Sequence, residues 1–172
     1  MSASEMSRLV KLRQIDGEPR HVEASPEERE ALAKRFGVVA IKRLVADVAL
    51  ERDRDEIAAS GRFEAELVQT CGISGEDFPV RIGEPFAFRF VPEAERGPTE
   101  EEVELDETDL DDIEYSGDAI DIGEAVAQSL GLAIDPYAEG PNAAVVRRQA
   151  GILPDDAPTG ALADALRALK KD

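Results

Sequence analysis

Between Val38 and Val91 the chain alternates apolar and polar residues over three successive stretches, and this pattern constrains the fold more than any other feature. Val38–Arg52 is rich in Val, Ile and Leu, then sets Val48 and Leu50 against Ala49 and Glu51. Ile57–Cys71 sets Phe63, Ala65 and Leu67 against Arg62, Glu64 and Glu66. Val80–Val91 places Phe86, Phe88 and Phe90 on one face, with Ala87, Arg89 and Val91 on the other. A period of two marks strands with one buried face. The breaks are turn-like: the charged Asp53-Arg54-Asp55-Glu56 and the polar Gly72–Asp77. Long strands joined by turns this short form hairpins. The three phenylalanines read as a core face, although a platform for stacked RNA bases would show the same spacing.

Helical signals flank this region. Leu9–Ile15 reads as one more strand, and Gly17, Glu18 and Pro19 turn the chain. Ser25-Pro26-Glu27-Glu28 has a hydroxyl cap, a proline at the first helical position and a glutamate at the third, which predicts a capping box. The helix should run Pro26–Phe36 with Ala31, Leu32 and Phe36 toward the core, and Gly37 should end it in a left-handed cap. Asp121-Ile122-Gly123-Glu124 predicts a second capping box. Its helix, Ile122–Leu132, carries an Ile122, Val126, Leu130 stripe and stops at Asp135-Pro136-Tyr137. Asn142–Gln149 predicts a short helix, and Gly151–Pro158 reads as a linker. Ala161–Lys170 is amphipathic, with Leu162, Ala165, Leu166 and Leu169 on one side. At about ten residues it is marginal alone and needs a docking surface on this protein or a partner.

The expected class is α+β: an antiparallel sheet of about four strands with two packed helices, a long acidic loop and a short C-terminal helix. Residues 1–137 form a single domain containing the acidic loop 93–118. Residues 138–172 form a flexible tail that carries the helix at 161–170.

Charge is concentrated in that loop. The chain carries a formal charge of −18. Residues 93–118 hold thirteen carboxylates against Arg96 alone, which is −12 in 26 residues. Residues 1–62 are neutral, with 12 basic and 12 acidic groups. Low hydrophobicity and high charge favour a loosely held loop. Such a segment repels a phosphate backbone and attracts a basic protein. The plainer reading is a solvated loop that keeps the protein soluble.

The residues of familiar chemistry are sparse. His21 falls in a polar turn beside Pro19, where a solvated histidine is a better reading than a catalytic one. Cys71 ends an apolar strand and should pack as a small hydrophobe. With one Cys and one His, zinc ligation and an internal disulfide have no basis. Asp106, Asp111 and Asp112 do not follow calcium-loop spacing, and no Gly-rich phosphate loop is present. The expectation is therefore no catalytic, cofactor or metal site. The chain has no run of about 18 apolar residues and no apolar leader segment, so a monomer in a reducing cytoplasm, away from membranes, is expected.

Two stretches carry a family resemblance. One is Val68-Gln-Thr-Cys-Gly-Ile-Ser-Gly-Glu-Asp-Phe-Pro-Val80, followed by the Phe-rich strand that ends in Phe90-Val-Pro-Glu93. The other is Asp118-Ala-Ile-Asp-Ile-Gly-Glu-Ala-Val-Ala-Gln-Ser-Leu-Gly-Leu-Ala-Ile-Asp-Pro-Tyr137. A strand ending in Gln-x-Cys, an acidic gap, and an Ile-Asp-Ile-Gly-Glu helix running into Asp-Pro-Tyr together resemble the YceD family, in its alphaproteobacterial-type branch. The order matches from about Leu9 to Tyr137. The resemblance implies a role in making or accumulating large-subunit ribosomal RNA, in a family whose genes neighbour that of a small basic large-subunit ribosomal protein. It implies no catalytic activity. Other branches carry a Cys-x-x-Cys after the helix. Here Asp-Pro-Tyr-Ala-Glu-Gly-Pro stands in its place, and Ser74 follows Cys71, so no metal or redox role carries over.

Two mechanisms remain open. In the first, the acidic segment binds a basic large-subunit ribosomal protein or a pre-ribosomal particle. The contact residues would be Glu100, Glu101, Glu102, Glu104, Asp106, Glu107, Asp109, Asp111 and Asp112, together with the Asp135–Tyr137 corner. In the second, Arg13, Arg20, Lys34, Arg35, Lys42, Arg43, Arg52 and Arg54 gather on one face and contact ribosomal RNA directly. A hydrolase using paired carboxylates is a third, weaker reading.

Overall fold

The alternating region folds as three consecutive antiparallel strands, as its pattern requires. A computed structural model describes residues 4–93 and 111–152. In chain order the elements are β1 (Leu9–Lys11), β2 (Arg20–Glu23), α1 (Pro26–Phe36), β3 (Ala40–Asp53), β4 (Glu56–Thr70), β5 (Asp77–Pro92), β6 (Asp111–Tyr115), β7 (Ala119–Asp121), α2 (Ile122–Ala133) and α3 (Ala143–Gln149). The main sheet has the order β2-β3-β4-β5-β6, and β1 pairs with β7 in a separate ribbon. All pairings are antiparallel except β5 with β6, which is parallel. The class is thus α+β, but the sheet is mixed and five-stranded among the described residues rather than antiparallel and four-stranded.

One face of the sheet is buried, and the other meets water. Leu44, Val48, Leu50, Ile57, Ala59, Phe63, Ala65, Leu67, Phe88 and Phe90 point inward and are buried. Phe86, Phe88 and Phe90 do form a core face. The Phe86 and Phe88 rings stack at 5.1 Å, and Phe88 meets Phe90 edge-on at 5.5 Å. The inward position between Ala59 and Phe63 is Gly61, opposite both Val48 and Phe86. A Cβ there would lie 1.9 Å from the Asp47 carbonyl oxygen and 2.9 Å from the Phe86 ring. The ring therefore lies close over a glycine at which any side chain would force β3 or the ring to shift, a device for closing a strand interior around an aromatic.

Helix α1 has the boundaries its sequence predicts. Ser25 Oγ accepts from the Glu28 N–H at 3.3 Å, Glu28 Oε2 accepts from the Ser25 N–H at 2.8 Å, and Gly37 closes the helix at φ 67°. Its buried residues are Leu32 and Ala33, while Ala31 and Phe36 are half-buried.

Helix α2 departs from expectation at its start. Asp121 caps it by accepting from the N–H groups of Gly123 and Glu124 at 3.0 and 3.2 Å. The reciprocal glutamate bond of a capping box is absent among the described residues. Glu124 instead accepts from Arg35 at 2.9 and 3.1 Å, from Ser4 Oγ at 2.6 Å and from Gln128 at 3.3 Å. Asp121 also accepts from the Arg8 N–H at 2.7 Å and from Ser7 Oγ at 2.6 Å, and the Ile122 N–H donates to the Arg8 carbonyl at 3.1 Å. Gly123 permits this approach, because a Cβ there would sit 2.7 Å from Arg8 N and 2.9 Å from the Met6 carbonyl oxygen. Arg8 reaches on to Glu28 at 2.6 and 2.8 Å and to the Glu23 carbonyl at 2.7 Å. The N-terminal strand thus clasps the first turns of α1 and α2 together.

Three further differences follow from pairings that are remote in sequence. Leu9–Ile15 is a strand only over Leu9–Lys11, and Leu12–Gln14 form one 3-10 turn. His21 stands in edge strand β2, not in a turn. Strand β6 lies inside the acidic stretch. The short helix read at Asn142–Gln149 is present as α3, and Ala143 is buried. The amphipathic segment 161–170 lies outside the described residues.

Two outcomes are expected. Gly61→Ala should lower stability in urea unfolding by about 2–3 kcal/mol, the range of an overpacked interior. For Glu124, burial pushes the carboxyl up, but the hydrogen bonds from Arg35, Ser4 and Gln128 and the charge of Arg35 hold it below its ordinary 4.5. A lowered carboxylate contributes stability above its unfolded pKa and loses it as pH falls through the folded one. Glu124→Gln should therefore cost about 1–2 kcal/mol at pH 7, with the gap closing as pH falls below the ordinary 4.5. Urea unfolding on both sides of that value measures this.

Candidate interaction surface at the acidic sheet edge

Asp111-Asp112-Ile113-Glu114-Tyr115 alternates, and that is why it can join the sheet. Ile113 and Tyr115 are half-buried, while Asp112 and Glu114 are exposed. The strand pairs in register from Phe88 opposite Asp111 to Pro92 opposite Tyr115. Tyr115 Oη donates to the Asp55 carbonyl at 2.6 Å, and the Glu93 N–H donates to the Tyr115 carbonyl at 2.7 Å. These bonds bring the β3–β4 turn to β6. Asp53, Asp55, Glu56, Asp112 and Glu114 therefore gather at one end of the sheet. Arg52, Arg54 and Arg89 lie among them: Arg89 is bidentate on Asp112 at 2.8 and 3.1 Å and 3.6 Å from Glu56, and Arg52 is 3.9 Å from Asp55. Among the described residues β6 is an edge strand.

Beside this edge lies an open groove of about 490 Å³ between α2 and β5–β6. Phe86, Phe88, Ile113 and Leu132 form its apolar walls, and Glu84 and Asp112 stand at its margin. Leu132 is 81 % exposed. Sequence reading misses this groove. Leu132 falls off the Ile122, Val126, Leu130 stripe, but nothing local shows that it stands beside β5 and β6.

The expected contact residues separate into three places. Glu100, Glu101, Glu102, Glu104, Asp106, Glu107 and Asp109 lie outside the described residues. Asp111 and Asp112 open β6 at the acidic edge. Asp135 and Tyr137 stand elsewhere, beside the β4–β5 turn. There Gln69 Nε2 donates to the Asp135 carbonyl at 3.0 Å, and Asp135 Oδ1 accepts from the Tyr137 N–H at 2.8 Å. Gln69 pairs with Phe78, whereas β6 begins opposite Phe88. Ten residues of strand, on the order of 30 Å, separate the two places. Tyr137 is 85 % exposed rather than packed.

The same turn contains Cys71, which is 1 % exposed. Hydrogen bonds from Ser74, then from the Gly140 backbone, lower its pKa from 9.0 to about 7, against the burial that opposes ionisation. The Ser74 N–H lies 3.4 Å from its sulfur. Gly140 packs over it: a Cβ there would lie 3.0 Å from the Phe78 ring and 3.4 Å from Cys71 Cβ, a tight fit. Among the described residues no group of three or more His, Cys, Asp or Glu is placed to hold a metal ion, and no helix is long and apolar enough to cross a membrane.

The basic residues considered for RNA are mostly paired. Arg20 meets Asp16 at 2.9 Å, Lys34 meets Glu30 at 2.7 Å, Arg35 meets Glu5 and Glu124 at 2.9 Å, and Arg43 meets Glu64 at 3.0 Å. Arg52 lies 3.9 Å from Asp55. Arg13, Lys42 and Arg54 form no ion pair among the described residues. Lys42 and Arg54 flank opposite ends of β3, on the order of 35–40 Å apart at the strand rise, so they share no single face.

Cys71 should be shielded in the native protein despite its lowered pKa. Its reaction with a disulfide reagent should be at least about 100-fold slower than in urea, because it requires local opening. Thiol-release absorbance measures both rates.

The family model described as large ribosomal RNA subunit accumulation protein YceD matches residues 59–159. That match begins within β4, later than the Leu9 start read from the sequence, and runs past Tyr137. No curated protein and no solved structure matches the chain.

Proposed function

The chain belongs to the YceD family, whose name carries a role in large ribosomal subunit RNA accumulation, and we propose that it acts there as a non-enzymatic ribosome-biogenesis factor. In this reading it works in the cytoplasm as a monomer of the alphaproteobacterial-type branch. It binds a basic large-subunit ribosomal protein, alone or on a pre-ribosomal particle, through its acidic segment. The observation that carries this reading is the charge. Residues 93–118 hold −12, and the described end of that segment runs along a sheet edge where Asp53, Asp55 and Glu56 are matched by Arg52, Arg54 and Arg89, so the excess charge comes from the segment itself. Opposite charges at such density speed encounter and discriminate against polyanions, with an affinity that falls as salt rises.

Direct contact with ribosomal RNA is the competing reading, and it has less support. Five of its eight basic residues already face carboxylates. The deletion that tests it should span 94–110, because removing 111–115 would take β6 from the sheet. RNA affinity at low salt should rise in that deletion if the acidic segment restrains an RNA-binding face.

Replacing Glu100, Glu101, Glu102, Glu104, Asp106, Glu107, Asp109, Asp111 and Asp112 by their amides should abolish ribonuclease-resistant binding of basic large-subunit ribosomal proteins. A sequence scramble of 94–110 with unchanged composition should keep it. Pull-down with quantitative mass spectrometry at two salt concentrations measures both, and unchanged binding by the amide variant would overturn the reading.

A further inference from the structure

We infer that the groove between α2 and the β5–β6 edge anchors an aliphatic side chain of the basic protein partner, on an amphipathic segment whose lysines or arginines meet Glu84. This rests on the reading of the chain as a binder of a basic protein and adds to it the place of contact and a second chemical requirement.

Three observations point to such an occupant. First, the groove has an apolar side and an unbalanced acid at its margin. Phe86, Phe88, Ile113 and Leu132 line it with the polar Gln128 and Ser129, and of its two carboxylates Asp112 is held by Arg89, which leaves Glu84. Its volume of about 490 Å³ suits one or two side chains rather than a whole helix. Second, Leu132 stands 81 % exposed on a helix that otherwise buries its apolar residues at Ile122, Val126 and Leu130. A large aliphatic side chain beside a half-buried phenylalanine is a surface to which a second apolar group adds at little cost. Third, β6 contributes Asp112 and Ile113 to the groove and is itself the end of the −12 segment.

The physics assigns the two parts different tasks. Exposed ion pairs are screened and discriminate weakly between one basic protein and another. A buried aliphatic anchor surrounded by charge slows dissociation and selects for sequence. The occupant is therefore basic and amphipathic, not merely basic.

The test uses the full chain and two synthetic helical peptides of equal charge. Both carry the same lysines, one with leucines along one face and the other with serines in their place. Fluorescence anisotropy near physiological salt gives the affinities, and methyl chemical shifts of Leu132 and Ile113 report the location. The leucine peptide should bind at least tenfold tighter than the serine peptide and should shift both methyl groups. Leu132→Asp should remove that advantage even though it adds attraction for lysine, and the variant should fold normally because the residue is exposed. Equal binding of the two peptides would overturn the groove while leaving the charge reading intact. Binding of both peptides undiminished by the nine amide replacements would instead overturn the charge reading. A tenfold gain in leucine-peptide affinity from Leu166→Asp would show that the chain's own 161–170 stretch fills the groove, which also overturns the proposal.

Discussion

The approach of the Met6–Arg8 backbone to the first turn of α2 governs how the helices sit on the sheet. Asp121 receives four donors there, from Ser7 Oγ and from the N–H groups of Arg8, Gly123 and Glu124. Four is about the full accepting capacity of a carboxylate, so no shorter or neutral side chain reproduces the arrangement. Gly123 leaves room for the strand, and Ile120 and Ile122 on either side of Asp121 are buried. Arg8 and Arg35 then carry the order outward. Arg8 holds Glu28 at the start of α1, and Arg35 at its end holds Glu124. The Ile-Asp-Ile-Gly-Glu stretch is therefore explained by packing and hydrogen bonding before any partner is considered.

This clasp also relates the two halves of the chain. The family match covers residues 59–159, which contain most of β4 and all of β5, β6, β7, α2 and α3. Ser7, Arg8, Glu28 and Arg35, which complete the hydrogen bonding of Asp121 and Glu124 or hold α1 beside them, all precede that stretch. β3 supplies Leu44, Val48 and Leu50 to the buried face of β4. The matched region depends on the preceding residues for both its polar and its apolar partners, so the described structure is held together across the boundary of the match.

What the sequence shows depends on how locally each feature is determined. The long hairpins and α1 are legible because alternation, short turns, Ser25 and Gly37 each act within a few residues. β2, β6 and β7 are three to five residues long and exist through partners far along the chain, so their local composition reads as turn or acidic loop. The second capping box fails for the same reason. The motif is present, but Arg35, 89 residues earlier, takes the glutamate that would close it. The candidate surface behaves likewise. Its charge is plain from composition, while the groove is assembled from β5, β6 and α2 and has no sequence signature. Asp135 and Tyr137 adjoin the acidic residues in the linear reading, but Gln69 holds that corner at the far end of the hairpin.

The parallel pairing of β5 and β6 has a consequence for the eighteen residues that join them. Phe88 lies opposite Asp111 and Pro92 opposite Tyr115, so both ends of that connection are fixed within about 15 Å of each other at the strand rise and spacing. The sequence between those anchors carries eight carboxylates from Glu95 to Asp109 against Arg96 alone. The fold thus fixes where the acidic run leaves the sheet and where it rejoins it: both anchors stand on the same end of one sheet edge.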